Sequence, residues 1–116
     1  MKITVIGAGA IGLVLAASLD RKNDVSVLVK SEKYESLIRR GLWILEGQKR
    51  KKINAKIVTK IIDSEVVIIA VKSYDLEKTR KLLGNYNGKV IICQNGLKML
   101  DWRLSNNNEI YAIVTS

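Results

Sequence analysis

The sequence predicts a doubly wound α/β domain on a mostly parallel sheet. Three observations lead there. A glycine-rich turn, Gly7-Ala8-Gly9-Ala10-Ile11-Gly12, joins a short apolar strand to a helical run. Two later runs, Val66–Val71 and Val90–Ile92, are continuously apolar and rich in β-branched residues, as parallel strands buried on both faces are. Helical segments alternate with these strands along the chain.

The elements follow in order. Ile3–Ile6 is the first strand, and Ala10–Leu19 the first helix, with Ile11, Leu15 and Leu19 on one face. Asp24–Val29 is the second strand. Ser31 can cap a helix that runs through Arg39 and Arg40 and stops at Gly41. Leu42–Leu45 and Ile53–Val58 read as the arms of an inserted antiparallel ribbon near residues 42–58. Asp75 can cap a helix to Leu83, stopped by Gly84. A further helix is expected near Leu97–Leu104, and a last strand at Ile110–Val114. With no proline, repeat or evident linker, residues 1–116 are expected to form one domain.

Composition narrows the function classes. The longest apolar run, Val66–Val71, is far too short to span a bilayer. The first apolar stretch is broken by glycines and reads as a strand, not a signal peptide. A lone cysteine, Cys93, cannot form an internal disulfide, which fits a reducing cytoplasm. With no histidine in the chain to activate it, Cys93 is expected in the core and not as a nucleophile. Twenty Lys+Arg against 11 Asp+Glu give a net charge of +9, which suits an anionic small molecule or a nucleic acid. The densest basic run, Lys49-Arg50-Lys51-Lys52, reads as a solvated hairpin tip. A single-strand binder needs aromatic residues among its cations, and none interleave with these.

The glycine turn has the context of a dinucleotide-binding loop. Gly7 permits the tight turn off the strand, and Gly9 has no side chain to block a pyrophosphate. Gly12 lets the helix lie against the sheet, while the helix N-terminus presents free N–H groups and positive dipole. Which dinucleotide is decided at the end of the second strand. NAD sites usually carry an acid there for the ribose 2′-hydroxyl. Here Lys30 and Ser31 follow the strand and suit a 2′-phosphate, hence NADP(H). Glu32, two residues on, offers the competing acidic contact.

Two more polar residues follow buried strands at carboxyl ends, where ligands of open α/β sheets bind. Lys72 follows Val66–Val71, and Asn95 follows Val90–Cys93. Asn95-Gly96 could form a hairpin turn, but Leu97-Lys98-Met99-Leu100 has helical spacing. An amide at Asn95 can both donate and accept, which suits a ribose hydroxyl or a carbonyl substrate.

Taken in sequence, Gly7–Gly12, Val71-Lys72-Ser73-Tyr74 and Gln94-Asn95-Gly96-Leu97 resemble the ketopantoate reductases (2-dehydropantoate 2-reductases). The Leu42–Val58 ribbon is similar as well, and the glycine motif alone is shared by many oxidoreductases. The resemblance covers the whole chain but only the family's amino-terminal, Rossmann-type half. It implies that Gly7, Ala8, Gly9, Ala10, Ile11 and Gly12 hold the NADP pyrophosphate and that Lys30 faces the 2′-phosphate. It also implies that Lys72 contacts the cofactor and that Asn95 lies where nicotinamide meets substrate. The implied reaction is reduction of 2-dehydropantoate by NADPH, giving pantoate for pantothenate synthesis. In the family a carboxyl-terminal helical domain supplies the catalytic lysine, and that domain is absent from these residues. No catalytic residue is therefore assigned in this chain.

The expectation is cofactor binding with little or no turnover, since an alkoxide formed on ketone reduction needs a positioned acid. The chain would then act with a separate helical-domain chain or self-associate through an exposed apolar surface. Trp43 and Trp102 fit that surface or the core equally. An alternative is a stand-alone NADP-binding or redox-sensing module acting through a partner protein. A third is nucleic-acid binding through Lys49–Lys52.

Overall fold

The computed structural model describes residues 1–71, 76–94 and 109–113. Along the chain run β1 (Lys2–Ile6), α1 (Ala10–Leu19), β2 (Asp24–Leu28), α2 (Ser31–Arg40), β3 (Trp43–Glu46), β4 (Lys49–Lys52), β5 (Lys56–Val58), β6 (Val66–Ile69), α3 (Leu76–Leu83), β7 (Lys89–Gln94) and β8 (Glu109–Ile113). Six strands form one sheet in the order β5-β2-β1-β6-β7-β8, and every pairing is parallel. The chain moves outward from β1 through β2 to β5, then returns to place β6 on the other side of β1. The strand order therefore reverses between β1 and β6, which opens a crevice at their carboxyl ends.

Alternation along each strand sends side chains to two separate cores. Ile3, Val5, Val25, Val27 and Ile68 pack with Ala16 and Ala17 of α1, and Tyr34 and Leu37 of α2 lean on the same cluster. Ile6, Leu28, Val67, Ile69, Val90 and Ile92 pack on the opposite face with Leu83 of α3. Helices thus cover both faces, and the strands must be apolar at nearly every position. Cys93 is buried in the first cluster, as its apolar neighbours require, and burial pushes its thiol pKa up.

α1 needs its small residues. Gly12, Ala16 and Ala17 are its buried positions, so the helix axis lies close to β1 and β2. α2 has no buried residue and is held by its amphipathic face, with Glu32 in its first turn and Arg39 and Arg40 in its last, all favourable to the helix dipole. Ser31 is its first helical residue and not its cap. Lys30 takes the cap position with extended backbone, φ −67° and ψ 144°, and gives no side-chain cap. Gly41 ends the helix at φ +73°, as the sequence suggests.

The inserted ribbon exists, but its arms differ from the sequence expectation. β3 pairs antiparallel with β4, with Glu46 opposite Lys49 and Trp43 opposite Lys52, around a two-residue Gly47-Gln48 turn. The basic run is thus a strand and not the tip. Ile53–Val58 is not an arm: Ile53 is buried at the ribbon's root, where its N–H donates to Leu42 O at 2.8 Å, and Lys56–Val58 joins the main sheet beside β2. The physical reason is burial. Ile53, Ala55 and Ile57 pack into the first core, and a ribbon arm facing solvent would expose them. The expected Asp75 cap, the helix at 97–104 and Trp102 lie outside the described residues. No helix among the described residues is long and apolar enough to cross a membrane.

Candidate functional site

The glycine turn sits at the crevice between β1 and β6. Its first residue is locked from two sides. The Gly7 N–H donates to Leu28 O of β2 at 3.1 Å, while the Ala70 N–H donates to Ile6 O at 2.9 Å. At φ +112° Gly7 occupies backbone space that L-residues rarely enter. A Cβ there would also stand 2.7 Å from Ala70 O. Gly12 is equally constrained, since its Cβ would overlap Gly7 O and touch Val5 Cγ1 at 3.6 Å. Both glycines are demanded by the protein's own packing.

Gly9 is different. Its backbone is ordinary, φ −78° and ψ −175°, and it is exposed. Among the described residues a Cβ at Gly9 would meet nothing within 4 Å. Among the described residues neither strain nor packing requires glycine here, and they leave open the space in front of it. That space adjoins the start of α1. Gly9 O accepts the first helical bond from Leu13 N at 3.0 Å, no side chain caps the helix, and its first turn holds no acid. The N–H groups of Ala10, Ile11 and Gly12 precede the first i−4 donor, Leu13 N–H, and have no acceptor within the helix, as at any helix start. Ala8 and Ile11 are half-buried against the first core, and Ala10 is exposed. Among the described residues the result is a positive helix end with no capping side chain or first-turn acid beside an open cradle, a geometry that takes a phosphate.

Lys30 lies on the same edge of the sheet. It is two residues past Leu28, whose carbonyl receives the Gly7 N–H, and its side chain is exposed at the start of α2. The structure thus brings the glycine turn and Lys30 together at adjacent strand ends. β6 and β7, which precede Lys72 and Asn95 in sequence, run parallel to β1. Lys72 and Asn95 themselves lie outside the described residues. Sequence reasoning missed the carbonyls of Leu28 and Ala70, which fix the shape of the turn. No local signal could reveal them, because backbone atoms carry no residue-type signature and the β1–β6 contact is a product of topology.

A second concavity, of about 500 Å³, opens between Arg21–Val25 and Asn54–Lys56. It lies at the amino ends of β2 and β5, the opposite edge from the glycine turn. Open α/β sheets bind ligands at the carboxyl edge, and among the described residues no helix starts at the edge where this concavity lies, so the glycine turn carries the functional reading.

Known proteins resemble this chain in sequence and in fold. The family model described as "Ketopantoate reductase PanE/ApbA" matches residues 3–115. A 2-dehydropantoate 2-reductase of Listeria monocytogenes is 31% identical over 109 residues, 87% of this chain and 37% of that protein. One from Mesorhizobium japonicum is 30% identical over 84% of this chain and 32% of its own length. A probable 2-dehydropantoate 2-reductase structure from Bacillus subtilis superposes with a TM-score of 0.85 over 98% of this chain and 41% of that one, at 24% identity, a likeness of fold. The chain spans roughly a third of the length of the curated relatives it matches.

Proposed function

Because the chain belongs to the ketopantoate reductase PanE/ApbA family over residues 3–115, we propose that it is the NADPH-binding portion of a reductase acting on 2-dehydropantoate. The observation that carries this reading is the space that the described residues leave at Gly9, in front of the uncapped start of α1. In this reading the N–H groups from Ala8 to Gly12 hold the pyrophosphate. Lys30 faces the 2′-phosphate, where its ammonium acts as a strongly hydrated point charge. Lys72 adds a second cofactor contact, and Asn95 orients the nicotinamide end and the substrate carbonyl. When bound, NADPH supplies the reducing equivalent for the keto group, and the polypeptide's task is to place it and to exclude the wrong nucleotide.

The same reading assigns no proton donor to this chain. Reduction of a ketone places negative charge on oxygen, and a positioned acid must discharge it. Asn95 cannot give up a proton, and Lys72 is engaged with cofactor. The donor then belongs to the remaining two-thirds of the family's length, read as the carboxyl-terminal helical domain.

Titration of the chain with NADPH and with NADH, followed by cofactor fluorescence, tests the proposal. NADPH is expected to bind more tightly, and addition of 2-dehydropantoate is expected to leave nicotinamide absorbance unchanged. Equal affinity for the two nucleotides would remove the role of Lys30. Rapid oxidation of NADPH would place a proton donor within these residues.

A further inference from the structure

The ribbon of β3 and β4 presents one face to the domain and one to solvent. Antiparallel register places Trp43, Leu45, Arg50 and Lys52 together on the outer face, and all four are exposed. Ile44 and Lys51 lie on the inner face, where Ile44 packs on the first core and both are half-buried. The ribbon's carboxylate, Glu46, is on that inner face too, 4.0 Å from Lys51 Nζ. The outer face therefore carries two cations and no carboxylate.

The aromatic that the basic run lacks in sequence is supplied by the neighbouring strand. The Arg50 guanidinium carbon lies 4.6 Å from the centroid of the Trp43 ring, and Lys52 Nζ lies 6.0 Å from it. The ring is further held by its Nε1–H, which donates to Arg40 O at 2.7 Å. Arg39 and Arg40, both exposed, end the helix that this bond reaches. The outer face thus combines a pinned flat ring, a guanidinium over it, and cations on successive outward positions about 7 Å apart along the strand.

We propose that this face is a binding surface for single-stranded nucleic acid, independent of the glycine turn. Its cations neutralise backbone phosphates, and the indole with its guanidinium offers planes on which unpaired bases stack. Charge complementarity identifies the partner as a polyanion. The pinned ring favours a base-bearing polymer over a lipid surface, since an indole tied to Arg40 O cannot turn into a bilayer. The ribbon's root is at the amino edge of the sheet, because Asn54, just beyond it, bonds Asp20 at the end of α1 at 2.9 Å. The glycine turn is at the opposite edge.

Fluorescence anisotropy of a labelled oligothymidylate against the 116-residue chain, without cofactor, tests the proposal separately from the enzymatic reading. R50Q/K52Q is expected to weaken binding at least about tenfold and to make the log–log salt slope shallower by about 1.4, near 0.7 for each phosphate no longer neutralised. Trp43→Leu is expected to weaken binding about fivefold or more, and Trp43→Phe to retain most of it. K78Q/K81Q, which removes the same charge from exposed positions of α3, is expected to cost far less. Circular dichroism and thermal unfolding establish that each variant is folded. Equal loss in the α3 variant, equal affinity for a duplex, equal partitioning onto anionic vesicles, or no binding at all would each overturn the proposal.

Discussion

A carbon added to Gly7 would stand 2.7 Å from the carbonyl oxygen of Ala70, so the turn after β1 is set by its contact with the end of β6. Gly9, two residues on, touches no described atom within 4 Å at the same position. The two glycines of one motif therefore answer to different demands, and substitution separates them. Gly7→Ala is expected to destabilise the fold by about 1–3 kcal/mol from backbone strain alone, before any cost of displacing Ala70. Gly9→Val is expected to leave the thermal midpoint nearly unchanged while weakening NADPH binding at least about tenfold, because its side chain fills the cradle at the start of α1. Unfolding midpoints and nucleotide titrations on the same two variants check both halves.

Lys30 provides the second test of the site. Its exposed ammonium lies at the end of β2, and Glu32 is in the first turn of the helix that follows. Lys30→Ala is expected to weaken NADPH binding by about tenfold, the scale of one charge-assisted hydrogen bond, and to change NADH binding little. A Glu32→Gln variant is expected to raise affinity for NADPH slightly by removing a like charge from the phosphate's surroundings. An equal loss for both nucleotides in Lys30→Ala would mean that the lysine meets the shared part of the molecule and not the 2′ position.

Much of the fold is legible in the sequence because the informative signals are local. Continuous β-branched runs announce β6 and β7, and the strand–glycine–helix junction locates the turn. The ribbon's true arms are hidden for an equally local reason. The alternation Ile53-Asn54-Ala55-Lys56-Ile57 describes one-sided burial, but the pattern does not say which sheet provides the burial. Four consecutive cations also look unlike a strand by propensity. They are tolerated in β4 because one side of a two-stranded ribbon is open to water and long side chains carry their charge outward. Gly47, at φ +63°, holds the correct register, since a two-residue turn there pairs Glu46 with Lys49. The pairing of Trp43 with the basic strand is likewise hidden, because register and not adjacency brings them together.

Asp20 ties the end of α1 to the segment between the ribbon and β5. Its side chain is nearly buried, and Oδ2 accepts the Asn54 N–H at 2.9 Å. Asp20→Ala is expected to cost about 1.5 kcal/mol, the lower range for a hydrogen bond to a charged group at a partly wet position. Asp20→Asn keeps an acceptor and is expected to recover most of that loss in urea denaturation. If both variants lose stability equally, the carboxylate acts through its charge and not through the Asn54 amide.

Tyr86 gives the fold a dependence on alkaline pH. Its single hydroxyl proton has two carbonyl acceptors in reach, Ser64 O at 3.1 Å and Lys89 O at 3.3 Å, and its ring crosses Gly88, where any Cβ would collide with the phenol. Burial, and secondarily the Asp63 carboxylate, raise its pKa above the ordinary 10.0. A phenol that holds its proton more tightly when folded contributes stability that is complete below pH 10 and is lost as pH rises through the folded value. Ionisation also removes the one proton that these two carbonyls can accept. Tyr86→Phe should therefore be less stable than wild type at neutral pH, and the gap should narrow steadily above pH 10. Denaturant midpoints of both proteins across that range read the difference directly, cancelling the titration of the other tyrosines and lysines. A gap that stays constant to strongly alkaline pH would show that the phenol ionises alike in the folded and unfolded chains.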